Sequence, residues 1–277
     1  MAGYEDGLIC LFNNDGNLIR PLIGHTNKIN NLIWTDKEMI ISTSNDCTIR
    51  QWSEKNGNCF GIFKFADPIS SAIFLPINNI LYTASWDKSI RCLDLESGEI
   101  VKTFVGSKDV IKCISYSNEV IYVAGCDPVI RGFNITTGEV KMYEGHKSWV
   151  YCIEILDDQM FSGSDDQSVI VWDIKTTKIL QSLKGHSNGV TTIGFANNDM
   201  YTGSYDWNII WWSLEEIQNR IECLEDMRIA DQETIKYETY WRILDAKKGK
   251  KKKGVKKPAN NKKAEGKSEP KEGGKKK

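Results

Sequence analysis

The feature that most constrains this chain is a recurrence at about forty residues. Asp6, Asp46, Asp87, Asp127, Asp166 and Asp206 follow one another at steps of 40, 41, 40, 39 and 40 residues. About six residues after each stands a bulky anchor: Phe12, Trp52, Leu93, Phe133, Trp172 and Trp212. A second mark lies upstream of the aspartates, as Gly24-His25, Gly145-His146 and Gly185-His186, with a degenerate Gly106-Ser107. Chance does not hold such a register across six units. A period of this size means stacked supersecondary units, none of which buries its apolar face alone.

Within a unit the residues predict β structure. Val190–Ala196, Asp199–Tyr205 and Asn208–Ser213 are short runs rich in β-branched and aromatic residues, separated by Asn, Asp, Gly and Ser. A fourth run, such as Lys178–Gly185, leads to the next Gly-His. Four short strands per unit of about 40 residues is the blade pattern of a β-propeller.

With these marks the chain resembles the WD-repeat family, and Gly145–Lys175 is similar to a near-consensus copy. The resemblance covers about Ala2–Ser213. It implies an all-β WD-repeat propeller of about six blades, the first incomplete. It also implies a buried hydrogen-bond relay in each well-formed unit: His25, Ser42, Asp46 and Trp52; His146, Ser162, Asp166 and Trp172; His186, Thr202, Asp206 and Trp212. The chemistry is coherent, because a buried Asp needs donors, an imidazole relays between it and a hydroxyl, and an indole N–H closes the chain. His, Asp and Ser together also suggest hydrolase chemistry. A set recurring three times, once per unit, points instead to a structural role. The two middle units depart from the pattern. Thr83 and Asp87 remain while Leu93 replaces Trp, and Val123 and Phe133 leave Asp127 without the network, so apolar packing is expected to carry those units.

The first unit lacks its first two strands, since Met1–Glu5 supplies only a stub. After Ser213 a fourth strand should follow. Instead Leu214, Ile217, Ile221 and Leu224 fall at helical spacing, and Ser213 with Glu216 reads as a capping box. A second helical segment is expected at Asp231–Lys247, with Ile235, Tyr240, Trp241 and Leu244 apolar. Packing on the propeller's side and docking a partner remain two open readings of this extension. Ring closure predicts Met1–Glu5 beside residues from Ile217 to Leu244; a bare edge there would mean that the chain is incomplete or needs a partner. Three regions follow: 1–213 as propeller, 214–245 as helical extension and 246–277 as a disordered basic tail.

Charge is segregated. Residues 246–277 hold 15 lysines and three glutamates, whereas 1–245 hold 21 basic and 34 acidic residues. The tail has one β-branched residue and no aromatic, so it cannot order itself by burial. It would attract polyanions such as RNA or acidic protein tails, without base stacking to add sequence specificity. The eight cysteines show no metal-ligand spacing and suit a reducing compartment. With no secretory stretch and no run of membrane-span length, a soluble intracellular protein is expected, cytoplasmic with the nucleus as the alternative.

No Gly-rich phosphate loop, metal cluster or unpaired nucleophile–base set is present. The expectation is therefore a non-enzymatic protein-interaction scaffold with no cofactor and no small-molecule substrate. The family places partner contacts on the face carrying the Gly-His loops and the turns before each Asp. The matching residues are Glu5, Asn45, Trp86, Cys126, Asp165 and Tyr205, joined by Lys28 and Trp149. Three alternatives stand beside the scaffold reading: an RNA-associated factor of ribosome-assembly type, a cytoskeletal or ciliary component using the tail, and a substrate receptor of a cullin-type ubiquitin ligase. The last rests on Met160–Lys175, which fits a loose adaptor-docking box.

Overall fold

The structure, a computed structural model, describes residues 1–35 and 38–230, with side chains up to Glu222. Residues 1–222 form one unit. The predicted second helix at Asp231–Lys247 and the disordered tail at 246–277 lie outside the described residues.

Period-two alternation builds six antiparallel meanders in chain order. The first sheet holds β1 (Ala2–Gly3), β2 (Ile9–Phe12) and β3 (Leu18–Leu22). The second holds β4 (Ile29–Thr35), β5 (Met39–Ser44), β6 (Thr48–Ser53) and β7 (Cys59–Lys64). In the third are β8 (Ile69–Leu75), β9 (Ile80–Ser85), β10 (Ser89–Asp94) and β11 (Ile100–Val105). The fourth comprises β12 (Ile111–Ser117), β13 (Val120–Gly125), β14 (Ile130–Asn134) and β15 (Val140–Tyr143). The fifth has β16 (Val150–Leu156), β17 (Gln159–Ser164), β18 (Ser168–Asp173) and β19 (Ile179–Lys184). The sixth stops at three: β20 (Val190–Ala196), β21 (Asp199–Ser204) and β22 (Ile209–Ser213). These sheets are propeller blades. The stub expected at the N-terminus is the two-residue β1, paired to β2 through Ala2–Cys10 and Gly3–Ile9.

Successive sheets stack through their innermost strands β4, β8, β12, β16 and β20. Each junction has its own apolar cluster. Ile9, Leu11 and Leu22 meet Ile40 and Trp52 between sheets one and two, and Ile49 meets Ile69 and Leu81 between two and three. Tyr122 and Tyr143 pack on Trp172, with the Tyr143 and Trp172 rings edge to face at 5.9 Å. Polar cross-links run between neighbouring sheets as well: the Asn30 side-chain amide donates to the Ile69 carbonyl at 2.8 Å, and the Ser70 hydroxyl to that of Ile111 at 2.7 Å. Buried polar groups so bonded add direction to an otherwise non-directional core.

After β22 the chain enters helix α1 (Leu214–Ala230). The Ser213 hydroxyl accepts the Glu216 amide at 3.3 Å, which is one half of the expected capping box. Ile217 and Ile221 are buried with Phe161, Val169, Leu183 and Met200, and Gln159 donates to Gln218 at 3.1 Å. Of the two readings of the extension, its first turns thus follow side-packing. Gly3 lies under Ile29 and Leu32, the start of the second sheet. The side chains of 223–244, the rest of the span expected beside Met1–Glu5, lie outside the described residues.

Candidate functional site

The turn between the second and third strands of each blade organises the face where partner contacts were expected. In the second blade the Asp46 carboxylate accepts the Thr48 amide at 2.9 Å, and Cys47 between them takes φ 64°. Lys88, Gln167 and Trp207 take φ of 70°, 69° and 65° at the matching position. The same aspartates anchor the three expected relays. His25 Nδ1 lies 2.7 Å from Asp46 and its Nε2 2.7 Å from the Ser42 hydroxyl, onto which Trp52 Nε1 donates at 2.8 Å. For His146, Asp166, Ser162 and Trp172 the corresponding distances are 2.9, 2.7 and 2.7 Å. For His186, Asp206, Thr202 and Trp212 they are 2.9, 2.8 and 2.9 Å. Each network is satisfied when the indole donates to the hydroxyl, the hydroxyl to Nε2 and Nδ1–H to the carboxylate, which assigns the neutral Nδ1–H tautomer.

The electrostatics match that assignment. Burial draws the His25 pKa below that of a free imidazole, against the pull of Asp46. Burial acts to raise the Asp46 pKa, but bonds from Thr48, His25 and the Thr26 amide hold it below the usual carboxylate range. Asp166 is held low in the same way by His146, Ser168 and the Lys147 amide. Ser42, Ser162 and Thr202 are fully buried. These hydroxyls are committed to the relays inside the blades.

The middle blades lack the relay, as expected of Asp127, but apolar packing is not all that holds them. Arg131 reaches Asp127 at 2.6 Å with both side chains buried, and Arg91 bonds Asp87 in the third blade. A guanidinium takes the place of the imidazole. The available signal was an Arg four residues after each of these aspartates, and it was missed.

The surface residues fall into two groups. At the junction of the fifth and sixth blades Asp165 accepts from Ser148 at 2.9 Å and from Tyr151 at 3.1 Å, and its amide donates to the Trp149 carbonyl at 2.8 Å. The Tyr151 and Tyr205 rings stand perpendicular at 5.6 Å. Burial and the Asp165 carboxylate push the Tyr151 phenol up to about 12, so it stays a donor. Trp149 and Tyr205 are exposed, and Trp207, which sequence reasoning passed over, is 97% exposed. Trp86 forms the second group, exposed, with the Lys112 ammonium 5.0 Å from its ring centre. The remaining candidates are less free. Asn45 is tied to Asn30 at 2.7 Å, Lys28 reaches Glu5 at 3.4 Å, and Cys126 is half-buried with its thiol pKa raised by burial.

At the opposite strand ends two grooves of about 500 and 480 Å³ share Asp157 and Asp158, and the second is walled by Leu214, Ile217 and Gln218 of α1. No group of residues able to hold a metal ion occurs among the described residues, and no described helix is long and apolar enough to cross a membrane.

Known proteins resemble this chain along these repeats. The family model described as "WD domain, G-beta repeat" matches residues 16–53, 57–94, 138–173 and 177–213, more than half the chain. It leaves out most of the fourth blade, where the relay is replaced. The nuclear distribution protein PAC1 of Candida albicans is 32% identical over 170 residues, 56% of this chain and 35% of that protein. A ribosome biogenesis protein WDR12 homolog of Oryza sativa subsp. japonica is 28% identical over 51% of this chain and 34% of its own length. A U3 small nucleolar RNA-associated protein 15 homolog of Xenopus laevis is 32% identical over 65% of this chain and 37% of its own. The chain thus spans little more than a third of the length of these relatives. The crystal structure of the computationally designed Ika8 protein superposes with a TM-score of 0.65 at 24% identity, over 76% of this chain and 67% of that one, a likeness of fold alone. Repeat register, blade topology, buried relays and the family model agree: the chain belongs to the WD-repeat family.

Proposed function

We propose that this protein is a non-enzymatic interaction scaffold that binds a protein partner on the turn face of its blades. The observation that carries the reading is the solvent-exposed aromatic set Trp86, Trp149, Tyr205 and Trp207, all in turns and loops that flank strands. Large aromatics lose little conformational entropy on binding and dominate interface energetics. Asp165 orients the Tyr151–Tyr205 pair, and Lys112 gives the Trp86 site a cation. A partner with apolar side chains flanked by acidic groups fits the Trp86 site. The region 1–213 supplies this face, and the segment from Leu214 onward is an extension of it.

The test is affinity purification of the full chain against a Trp86→Ala/Trp149→Ala variant. Loss of a discrete partner from the variant, with an unchanged unfolding midpoint, supports the face. Identical partner sets from both proteins overturn it.

A second reading has its own support. Two relatives are named for ribosome biogenesis and for U3 small nucleolar RNA association, and residues 246–277 of this chain carry 15 lysines. On that reading the tail adds RNA affinity in the nucleus, and in the scaffold reading alone the protein serves in the cytoplasm. RNA binding by the full chain should then weaken steeply with salt and fall on deleting 246–277. Unchanged binding and salt slope after that deletion remove the RNA role.

A further inference from the structure

The sixth blade presents an edge and a face that the other five cover. Matched by register, Ile209 corresponds to Ile9, Ile49, Ile90, Ile130 and Val169, all at most 1% exposed, yet Ile209 is 78% exposed. Trp211 is 58% exposed, where its counterparts Leu11, Gln51, Cys92 and Val171 are buried. Tyr201 pairs with Trp211 and shares that exposed face.

In the second to fifth sheets the third strand is covered along its outer edge by a fourth, and in the three-stranded first sheet β3 covers β2 as that fourth strand would. Opposite the Ile209 position that fourth strand always places a bulky apolar residue: Leu22, Phe63, Phe104, Tyr143 or Leu183. On β22 no described residue takes that place, because the chain turns into α1. Open strand edges are normally guarded by charge, Pro or a covering element. The stretch Trp207–Ser213 has neither charge nor Pro.

We propose that β22 pairs antiparallel with β22 of a second copy of this chain, joining two sixth blades into one six-stranded sheet. The register that fits puts Ile210 opposite its own symmetry mate. Ile209 then faces Trp211 of the second copy and Trp211 faces Ile209, so each bulky requirement is met by the same strand. Five residue pairs form, from Asn208 to Trp212, as many as join β18 to β19. A two-fold contact of this kind is self-complementary and closed. The uncharged strand brings no like charges face to face. Asp206 and Glu215 flank the strand, so association strengthens as salt screens them.

The experiment is light scattering with size-exclusion chromatography on the full chain, over a hundredfold concentration range. The expected result is a shift from one chain mass to two. Ile209→Lys and Ile210→Pro should each weaken association at least tenfold, while Val105→Lys, a substitution at an exposed site on β11, leaves it unchanged. Near-ultraviolet dichroism confirms that the variants are folded. A second variant, Ile210→Cys, should form an oxidised dimer that wild type does not. A chain that stays monomeric throughout overturns the proposal, and so does a dimer that survives both edge substitutions. A monomer whose Trp211 is shielded from quencher also overturns it, by showing that the chain's own residues cover the edge.

Discussion

The second, fifth and sixth blades hold their turn aspartate with an imidazole, whereas the third and fourth hold it with an arginine. The aspartate holds the same place in the repeat in both classes, and its carboxylate accepts the amide two residues on. The difference lies in what the partner demands. A neutral imidazole needs a hydroxyl behind it, and the hydroxyl needs the indole, so four side chains must be present together. A guanidinium carries its own charge and donors, reaches back to Asp from four residues on in the following strand, and in the fourth blade leaves the hydroxyl and indole positions free to become Val123 and Phe133. The relay is bought with sequence constraint, while the ion pair makes a blade intolerant of losing either partner.

The largest effect should come from breaking the buried pair. Asp127→Asn leaves the Arg131 charge in a nearly water-free site and should cost about 3–5 kcal/mol in a denaturant titration. The double change Asp127→Asn/Arg131→Met should recover most of that loss, because no uncompensated charge remains. If the single and double variants are equally unstable, the pair is not an independent unit.

Next comes Ser162→Ala in the fifth blade, which strands His146 Nε2 and Trp172 Nε1 together. The expected cost is about 2–3 kcal/mol, that of buried groups left unpaired. The reverse exchange at the matching position of the fourth blade, Val123→Ser, should also destabilise, since no imidazole waits there.

Acid separates the classes by a smaller amount. His25 is neutral in the folded state with a lowered pKa, while the unfolded chain protonates near pH 6.5. Below about pH 6.5 the unfolded state therefore binds more protons, and stability falls with pH toward the folded pKa. Asp46 and Asp166 have lowered pKa values, so their contribution is present above about pH 4 and is lost as pH falls through the folded values. Unfolding midpoints measured between pH 7.5 and 5 should drop, and His25→Asn should flatten part of that slope. The corresponding change in the third blade, Arg91→Lys, should leave the slope in this window untouched.

The smallest effect concerns what the classes share. The turn places Trp207 at φ 65°, where Gly7 serves in the first blade. Trp207→Gly should be neutral or raise stability by about 0.4–1 kcal/mol, because a strained L-residue is released. If the aromatic belongs to the binding face, the same variant loses partner affinity.

Much of this was legible in the residues. The forty-residue register, the stub at Ala2–Gly3 and all twelve relay members were readable because they are local and periodic. The arginine pairs were not. Arg50, Arg91 and Arg131 each stand four residues after a turn aspartate, yet Arg50 lies 5.9 Å over the Trp52 ring and leaves Asp46 to His25. Spacing alone makes the three alike, and occupancy by an imidazole from an upstream loop separates them. The exposed face was legible only in part, since Trp86, Trp149 and Tyr205 were named while Asn45 proved to be tied to Asn30 across a blade junction.

By itself, then, the sequence determined the repeat, the alternation that makes each run a strand, and the chemistry that can satisfy a buried aspartate. Those follow from backbone geometry and from donors and acceptors carried within a single unit. The tertiary structure alone decided which apolar side chains are in fact removed from water. Ile49 and Ile209 are the same residue at the same place in the repeat, the first fully buried and the second open. The physical reason is that a blade buries one face with its own strands and the other only against a neighbour.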